Sequence, residues 1–377
     1  MAGIYLHIPF CRQACHYCNF HFSTSLRQKN DFIVALLKEM ETRKDYIARE
    51  EVDTIYLGGG TPSLLTEEEL GRILDRAHSL FPIARGVEIT LEANPDDMTS
   101  PGKLAGWKRQ GVNRLSIGVQ SFFDEDLQWM NRVHNARQAA ESIRDAQEAG
   151  LDNISIDLIY GTPGLSDARW EKNVSMALKL NIPHLSCYAL TVEPRTALDT
   201  MIRQHKKEDV SQEDQARQFL LLMDLLAAAG YEHYEISNFS LPGRRSRHNT
   251  AYWQGKPYLG LGPSAHSYDG MSSRQWNVAN NAIYIHGDPP PSEKEILTPT
   301  QQLNEYIMIS LRTMEGCDQD HVAQRFGKEK AVVLHRQAER YIHEAKIIEQ
   351  DRRLVLTREG KLLADGIASD LFFEEHT

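Results

Sequence analysis

No run in this chain approaches the ~18 apolar residues of a membrane-spanning helix, and its start, Met1-Ala2-Gly3-Ile4-Tyr5, lacks the charged beginning and apolar middle of a secretory signal. Both absences point to a cytoplasmic protein. A broad basic field is missing too. The formal net charge is -10 over 377 residues, which argues against nucleic acid as a partner. Cysteine is scarce at five residues, too few for a disulfide scaffold, and disulfides are rare in a reducing compartment. Low-complexity tracts are absent. What remains is an ordinary globular composition, 41% hydrophobic and 25% charged, in a chain long enough for a large domain and a smaller second one.

Three of the five cysteines cluster. The apolar run Ile4-Tyr5-Leu6-His7-Ile8-Pro9-Phe10 leads into Cys11, Cys15 and Cys18 with the spacing C-x3-C-x2-C, while Cys187 and Cys317 stand apart. A [4Fe-4S] cluster held by only three thiolates leaves one iron open to a ligand. S-adenosylmethionine suits that position, because its amino and carboxylate groups chelate iron while an electron from the cluster cleaves its sulfonium. Three other readings compete: a Cys3His zinc set with His7, His16 or His21 as fourth ligand, buried thiols without a ligand, and a disulfide.

Strands and helices then alternate. Apolar runs at 4–10, 52–57, 87–92, 114–119, 153–159 and 184–190 read as strands, and the segments 31–47, from Glu67 onward, 101–110, up to Gly150 and 169–180 as helices. Thr66 before Glu67-Glu68-Glu69 is a helix-start signal. Six such units imply an α/β fold, a partial (β/α)6 TIM-type barrel of parallel strands. Sites in such barrels lie at the C-terminal ends of the strands. Glu92, Gln120, Asp157 and the turn Gly58-Gly59-Gly60-Thr61-Pro62 fall there. Glu92 and Asp157 are acceptors for ribose hydroxyls or an ammonium, and Arg132 a partner for a carboxylate. The plain alternative for each is a structural hydrogen bond or ion pair, and for the glycines a tight turn. The first strand leads into cysteines, where a dinucleotide fold has its G-x-G-x-x-G turn.

Cys11 to Cys18, with Tyr5, Tyr17 and the glycine run, resemble the radical S-adenosylmethionine superfamily, and within it the oxygen-independent coproporphyrinogen oxidase group. The resemblance spans nearly the whole chain. It implies that Tyr5, Tyr17, Gly59, Gly60, Thr61, Glu92, Gln120, Arg132 and Asp157 bind cofactor. Two departures stand out. Oxidases of that group carry a further cysteine at the position of Phe20, and a long segment ahead of the cluster, where Cys11 here follows ten residues. Both departures, with His248-Asn249-Thr250-Ala251-Tyr252-Trp253, resemble a haem-chaperone branch.

From Gly230 the pattern changes. Residues 231–239 read as a strand on the barrel edge, followed by an irregular polar stretch with Arg244, Arg245 and Arg247. The bland reading of His248 is a solvated loop histidine. The resemblance makes it an iron ligand for haem, with Asn249, Tyr252 and Trp253 in the site and the arginines facing the propionates. Pro289-Pro290-Pro291 marks a linker. Beyond it, helices at 301–314, 321–326 and 331–345 and two short strands within 347–356 give a small winged-helix-like pattern. Its slight basic surplus suits protein contact or covering of a substrate better than DNA. The division expected is 1–230 for the barrel with its iron–sulfur loop, 231–291 for edge strands and the haem loop, and 292–377 for the C-terminal unit.

The resemblance implies a haem chaperone that holds a [4Fe-4S] cluster, S-adenosylmethionine and haem, and delivers haem to acceptor proteins, membrane-associated respiratory enzymes among them. The alternatives are an oxygen-independent coproporphyrinogen III oxidase and a zinc-structured scaffold.

Overall fold

Alternation in the strands decides which face does what. In β1 (Ala2–Ile8), Ile4, Leu6 and Ile8 are fully buried among helices, whereas Tyr5 and His7 lie on the opposite face. The same period of two runs through β2 (Val52–Gly59), β3 (Ile83–Ala93), β4 (Arg114–Gln120), β5 (Ile154–Tyr160) and β6 (His184–Ala189). One face carries Ile55, Ile89, Leu115, Ile156 and Leu185 into the main core. The other carries Thr54, Glu92, Ser116, Asp157 and Ser186. A parallel sheet buried on both faces reads as continuous apolar runs, so this pattern encodes a polar concave interior. Each fully buried Ile or Leu on the convex side contributes about 1.5–3 kcal/mol.

The computed structural model describes residues 1–47, 50–100 and 102–375. Among these, β1 to β6 are parallel neighbours, connected through helices Lys29–Thr42, Glu67–Leu80, Lys103–Arg109, Ala136–Glu148 and Asp167–Lys179. The partial barrel is present. Thr66 caps its helix as the sequence signals, in a reciprocal box with Glu69. Pro101, where one helix was expected to begin, lies outside the described residues. No helix among them is long and apolar enough to cross a membrane.

The sheet reaches further than six strands. Residues 231–239 form a hairpin, β7 (Glu232–Glu235) and β8 (Asn238–Ser240), and β8 pairs antiparallel with β6. On the far side β9 (Tyr258–Leu261) adds a seventh parallel strand beside β1. Antiparallel β10 (His266–Tyr268), β11 (Ser273–Asn277) and β12 (Ser292–Ile296) follow. The order β12-β11-β10-β9-β1-β2-β3-β4-β5-β6-β8-β7 leaves the barrel open. Strand β12, in the stretch expected to open the C-terminal unit, belongs to this sheet. Its charged, exposed Glu293-Lys294-Glu295 disfavours pairing with another chain.

A second core gathers Leu303, Ile307, Leu334 and Leu354. Helices Pro299–Leu311, Gln319–Phe326 and Lys328–His343 pack with an antiparallel sheet of β13 (Cys317–Asp318), β14 (Ile347–Gln350) and β15 (Arg353–Leu356) in the order β13-β15-β14. This is the winged-helix-like unit. It docks on the β7-β8 hairpin, where Arg312 Nε meets the buried Glu235 carboxylate at 3.1 Å and Met314 N donates to Tyr234 O at 3.1 Å.

Candidate functional site

The cysteine loop is fastened to the glycine turn by backbone contact. Gly60 N donates to Ile8 O at 3.0 Å and Thr61 N to Phe10 O at 2.7 Å. A Cβ on Gly60 would lie 2.6 Å from Ile8 O, so only glycine permits the approach. Gly59 has φ +100°, a left-handed conformation that glycine adopts without strain. The Thr61 hydroxyl then donates to Cys11 Sγ at 3.4 Å and accepts from Asn94 at 3.2 Å.

Arg132 fixes the other side of the loop. Its Nη1 donates to Cys15 Sγ at 3.3 Å, and its Nη2 to Asn94 Oδ1 at 2.6 Å and Gly118 O at 2.8 Å. The fork expected to grip a carboxylate is therefore engaged within the protein. Its Nε is buried without a partner.

Cys11, Cys15 and Cys18 are unpaired and open on one cavity of about 540 Å³ at the C-terminal ends of the strands. Tyr17, Gly59, Gly60, Thr61, Glu92, Gln120, Arg132, Asp157 and Asn249 line it as well. Tyr5 does not: it stacks on Tyr56 and faces a neighbouring cavity. Tyr56, Asn94, Ser116, Ser186 and Tyr188, for which the sequence raises no expectation, also line this space. Most of them share the polar strand face with Glu92 and Asp157, so the period of two could have found them.

Two carboxylates sit deep in the cavity. Glu92 accepts from Tyr56 OH at 2.8 Å and from Gly59 N at 3.0 Å. Burial nevertheless pushes Glu92 up to about 7, and burial together with the Glu92 charge pushes Asp157 up to about 7. A cation placed between them would favour their ionised forms. Gln120 closes β4 at φ +65°, a region rarely used by residues other than glycine.

Among the described residues, no group of three or more His, Cys, Asp or Glu side chains could hold a single metal ion. The fourth ligands of the zinc reading have other partners. His7 Nδ1 and Nε2 lie 3.1 Å from Tyr5 OH and 2.8 Å from His21 O, His16 Nδ1 is 2.9 Å from Trp129 O, and His21 Nε2 is 2.7 Å from Asn281 Oδ1. Three thiols around one cavity fit a cluster better, since each then takes a different iron. Burial pushes the Cys11 thiol up to about 11, a preference for the protonated form that ligation to iron would reverse.

A second cavity, of about 620 Å³, adjoins the first, and Asn19 and Phe20 line both. Tyr252 and Trp253 line its wall. His248 does not. The stretch expected to be an irregular loop is helix Arg247–Trp253, capped by Ser246 and packed on β1 and β2. His248 is 2% exposed, with Nδ1 2.8 Å from Thr54 Oγ1 and Nε2 2.9 Å from Tyr252 OH. Both nitrogens are occupied inside the protein, so this arrangement does not present His248 to haem iron. Two of the three arginines also face elsewhere: Arg245 bonds Glu232 and Glu315, and Arg247 bonds Gly86 O.

A sequence profile of the Radical SAM superfamily matches residues 5–177, and one of the HemN C-terminal domain matches residues 297–363. Among solved structures, coproporphyrinogen III oxidase (HemN) from Escherichia coli superposes with a TM-score of 0.83 at 22% identity, covering 98% of this chain and 90% of that one. At that identity the likeness establishes the fold alone. Heme chaperone HemW of Bacillus subtilis is 34% identical over 97% of this chain and 98% of its own length. The proteins of the same name from Mycobacterium tuberculosis H37Rv and Escherichia coli K12 are 34% and 32% identical, covering 98% and 99% of this chain and 94% and 98% of their own. Identity at this level, running from the cysteine loop through the C-terminal unit, means that the chain belongs to the heme chaperone HemW family of the radical SAM superfamily.

Proposed function

We propose that this protein is a haem chaperone that holds a [4Fe-4S] cluster on Cys11, Cys15 and Cys18, S-adenosylmethionine in the cavity beside it, and haem, and passes the haem to acceptor proteins in the cytoplasm or at membrane-associated respiratory enzymes. The observation that carries the reading is the adjacency of two unlike cavities. One is polar and lined by three thiols; the other is walled by aromatic side chains. They meet at Asn19 and Phe20.

When bound, the cluster would supply single electrons and an open iron for the amino and carboxylate groups of S-adenosylmethionine. The chain's own residues do the holding. Gly59 and Gly60 let the backbone come close, Glu92 and Asp157 offer acceptors to cationic or hydroxyl groups, and Arg132 fixes Cys15 and Asn94. In the second cavity Tyr252 and Trp253 offer flat apolar surface to a macrocycle. The division of the chain into 1–230, 231–291 and 292–377 belongs to the same proposal, with the outer sheet strands and the C-terminal helices enclosing the haem.

The test is anaerobic reconstitution followed by iron analysis, haem titration and a coproporphyrinogen III assay. Iron on three cysteines, one equivalent of haem and no enzyme-like turnover are expected. Multiple turnovers to protoporphyrinogen IX would instead establish the oxidase reading.

A further inference from the structure

The aromatic cavity lies between parts of the chain distant in sequence. Strands β9 to β11 supply Tyr258, His266 and Arg274, while helices Pro299–Leu311 and Gln319–Phe326 supply Tyr306, His321 and Arg325. Four histidines line the space: His7, His21, His266 and His321. Both nitrogens of His7 and the Nε2 of His21 are engaged. Among the described residues, the rings of His266 and His321 have aromatic neighbours and no hydrogen-bond partner. His266 stacks on Trp276 with centroids 5.9 Å apart and planes at 24°, and His321 lies against Tyr306 at 4.4 Å and 32°. Each ring is thus supported on its face, and its nitrogens are open to a ligand.

The backbone under His266 is tightly set. A Cβ on Gly260 in β9 would lie 1.9 Å from His266 O, so the two strands meet where no side chain fits. Two buried polar atoms of residues lining this cavity, Trp253 Nε1 and Arg274 Nε, also lack partners among the described residues. Unsatisfied buried donors are uncommon, and together they point to a polar ligand group. Arg274 is otherwise paired with Glu305 at 2.7 Å, and Arg325 donates to Met271 O and Gln302 Oε1.

We propose that His266 and His321, one from the sheet and one from the C-terminal helices, are the iron ligands of haem in this cavity, with Arg274 and Arg325 beside them to meet its carboxylates. This rests on the haem reading above. Tyr252, Trp253 and Tyr258 supply the apolar walls for the ring. A neutral imidazole offers a lone pair to iron.

The test is a ferric haem titration of the full chain followed by its Soret band. Wild type, His266→Ala, His321→Ala, the double variant and the exposed His286→Ala control are compared, and the two sites are repeated as Gln. Melting curves verify that each variant folds. Wild type and His286→Ala should saturate near one equivalent with a low-spin spectrum. Each single variant should shift the band, and the double variant should bind at least ~10-fold more weakly, a loss of about 1.4 kcal/mol. Added free imidazole should restore the low-spin band in the single variants, which a merely structural role would not produce. A folded double variant with wild-type spectrum and affinity overturns the ligand assignment while the haem reading stands. Failure of wild type to saturate overturns the haem reading, and this inference with it.

Discussion

His248 Nε2 and the Tyr252 hydroxyl lie 2.9 Å apart across one turn of helix Arg247–Trp253. The same imidazole lies against Tyr56, ring centroids 5.0 Å apart, and Tyr56 donates to Glu92. A buried path therefore runs from the aromatic cavity to the carboxylate of the cysteine-lined one. The helix sits between them, with Asn249 in one cavity and Tyr252 and Trp253 in the other. His248 positions its neighbours.

Replacing His248 by Ala should therefore lower stability and leave haem ligation alone. The loss removes two hydrogen bonds and leaves Thr54 and Tyr252 without a buried partner, about 2–3 kcal/mol together. Burial holds the His248 pKa down at about 3, so the ring stays neutral across ordinary buffers. Thermal melting should register the loss, and the Soret maximum of the haem-bound variant should not move. A shifted maximum in a folded variant would return His248 to the iron.

The cluster should depend on the three thiols and on one glycine. Cys11→Ala, Cys15→Ala and Cys18→Ala should each abolish it. Gly60→Ala should do nearly as much, because the new Cβ meets Ile8 O at 2.6 Å and the cysteine loop must shift. Iron and sulfide content after anaerobic reconstitution measures both effects. A full complement of iron in Gly60→Ala would show that the turn does not hold the loop.

Arg132 links Cys15, Asn94 and Gly118. Arg132→Met keeps much of the volume but removes these bonds, and hydrogen bonds from a charged group are worth about 1.5–3 kcal/mol each. The variant should melt lower and retain less iron than wild type. Unchanged melting and iron content would leave Arg132 without the anchoring role.

Glu92 and Asp157, both pushed up to about 7, set a pH dependence with a definite sign. Their folded-state values lie above the ordinary carboxyl values of 4.5 and 3.8, so the folded protein holds more protons between about pH 4 and 7 than the unfolded chain. Their stabilising contribution is complete at the acid end and is lost as pH rises through about 7. A cationic ligand favours the ionised pair, so affinity for S-adenosylmethionine should rise over the same window. Melting and binding measured from about pH 5 to 8 on wild type and Glu92→Gln test this. The variant should show a flatter stability profile and weaker binding; identical profiles would remove Glu92 from the linkage.

Legibility in the sequence followed burial. Strands β1 to β6 were visible because their convex faces carry Ile and Leu at every second place, and the cysteines because no core pattern accounts for them. Strands β10 to β12 were not. His266-Ser267-Tyr268 buries a serine rather than an apolar side chain, and Ser292-Glu293-Lys294-Glu295-Ile296 is exposed throughout, so they lack the apolar signature that marks a strand. The hairpin at Ile236-Ser237 turns without glycine or proline and read as one strand. Helix Arg247–Trp253 read as a loop because its buried residue is a histidine among Thr54 and Tyr56 rather than a leucine. For the site, the glycine turn, Glu92 and Asp157 were legible from their places at strand ends. Tyr5 faces the aromatic cavity and His248 is buried between its own helix and β1 and β2, placements that sequence spacing does not encode.

On the proposed reading the chain carries haem and does not convert a porphyrinogen. The decisive experiment is transfer from the haem-loaded, cluster-bearing protein to an apo-haem protein, followed by absorbance under anaerobic conditions, with coproporphyrinogen III turnover assayed on the same preparation. One equivalent of haem bound, its passage to the acceptor, and no protoporphyrinogen IX are expected. Failure to bind haem, together with repeated turnover of coproporphyrinogen III, would contradict it.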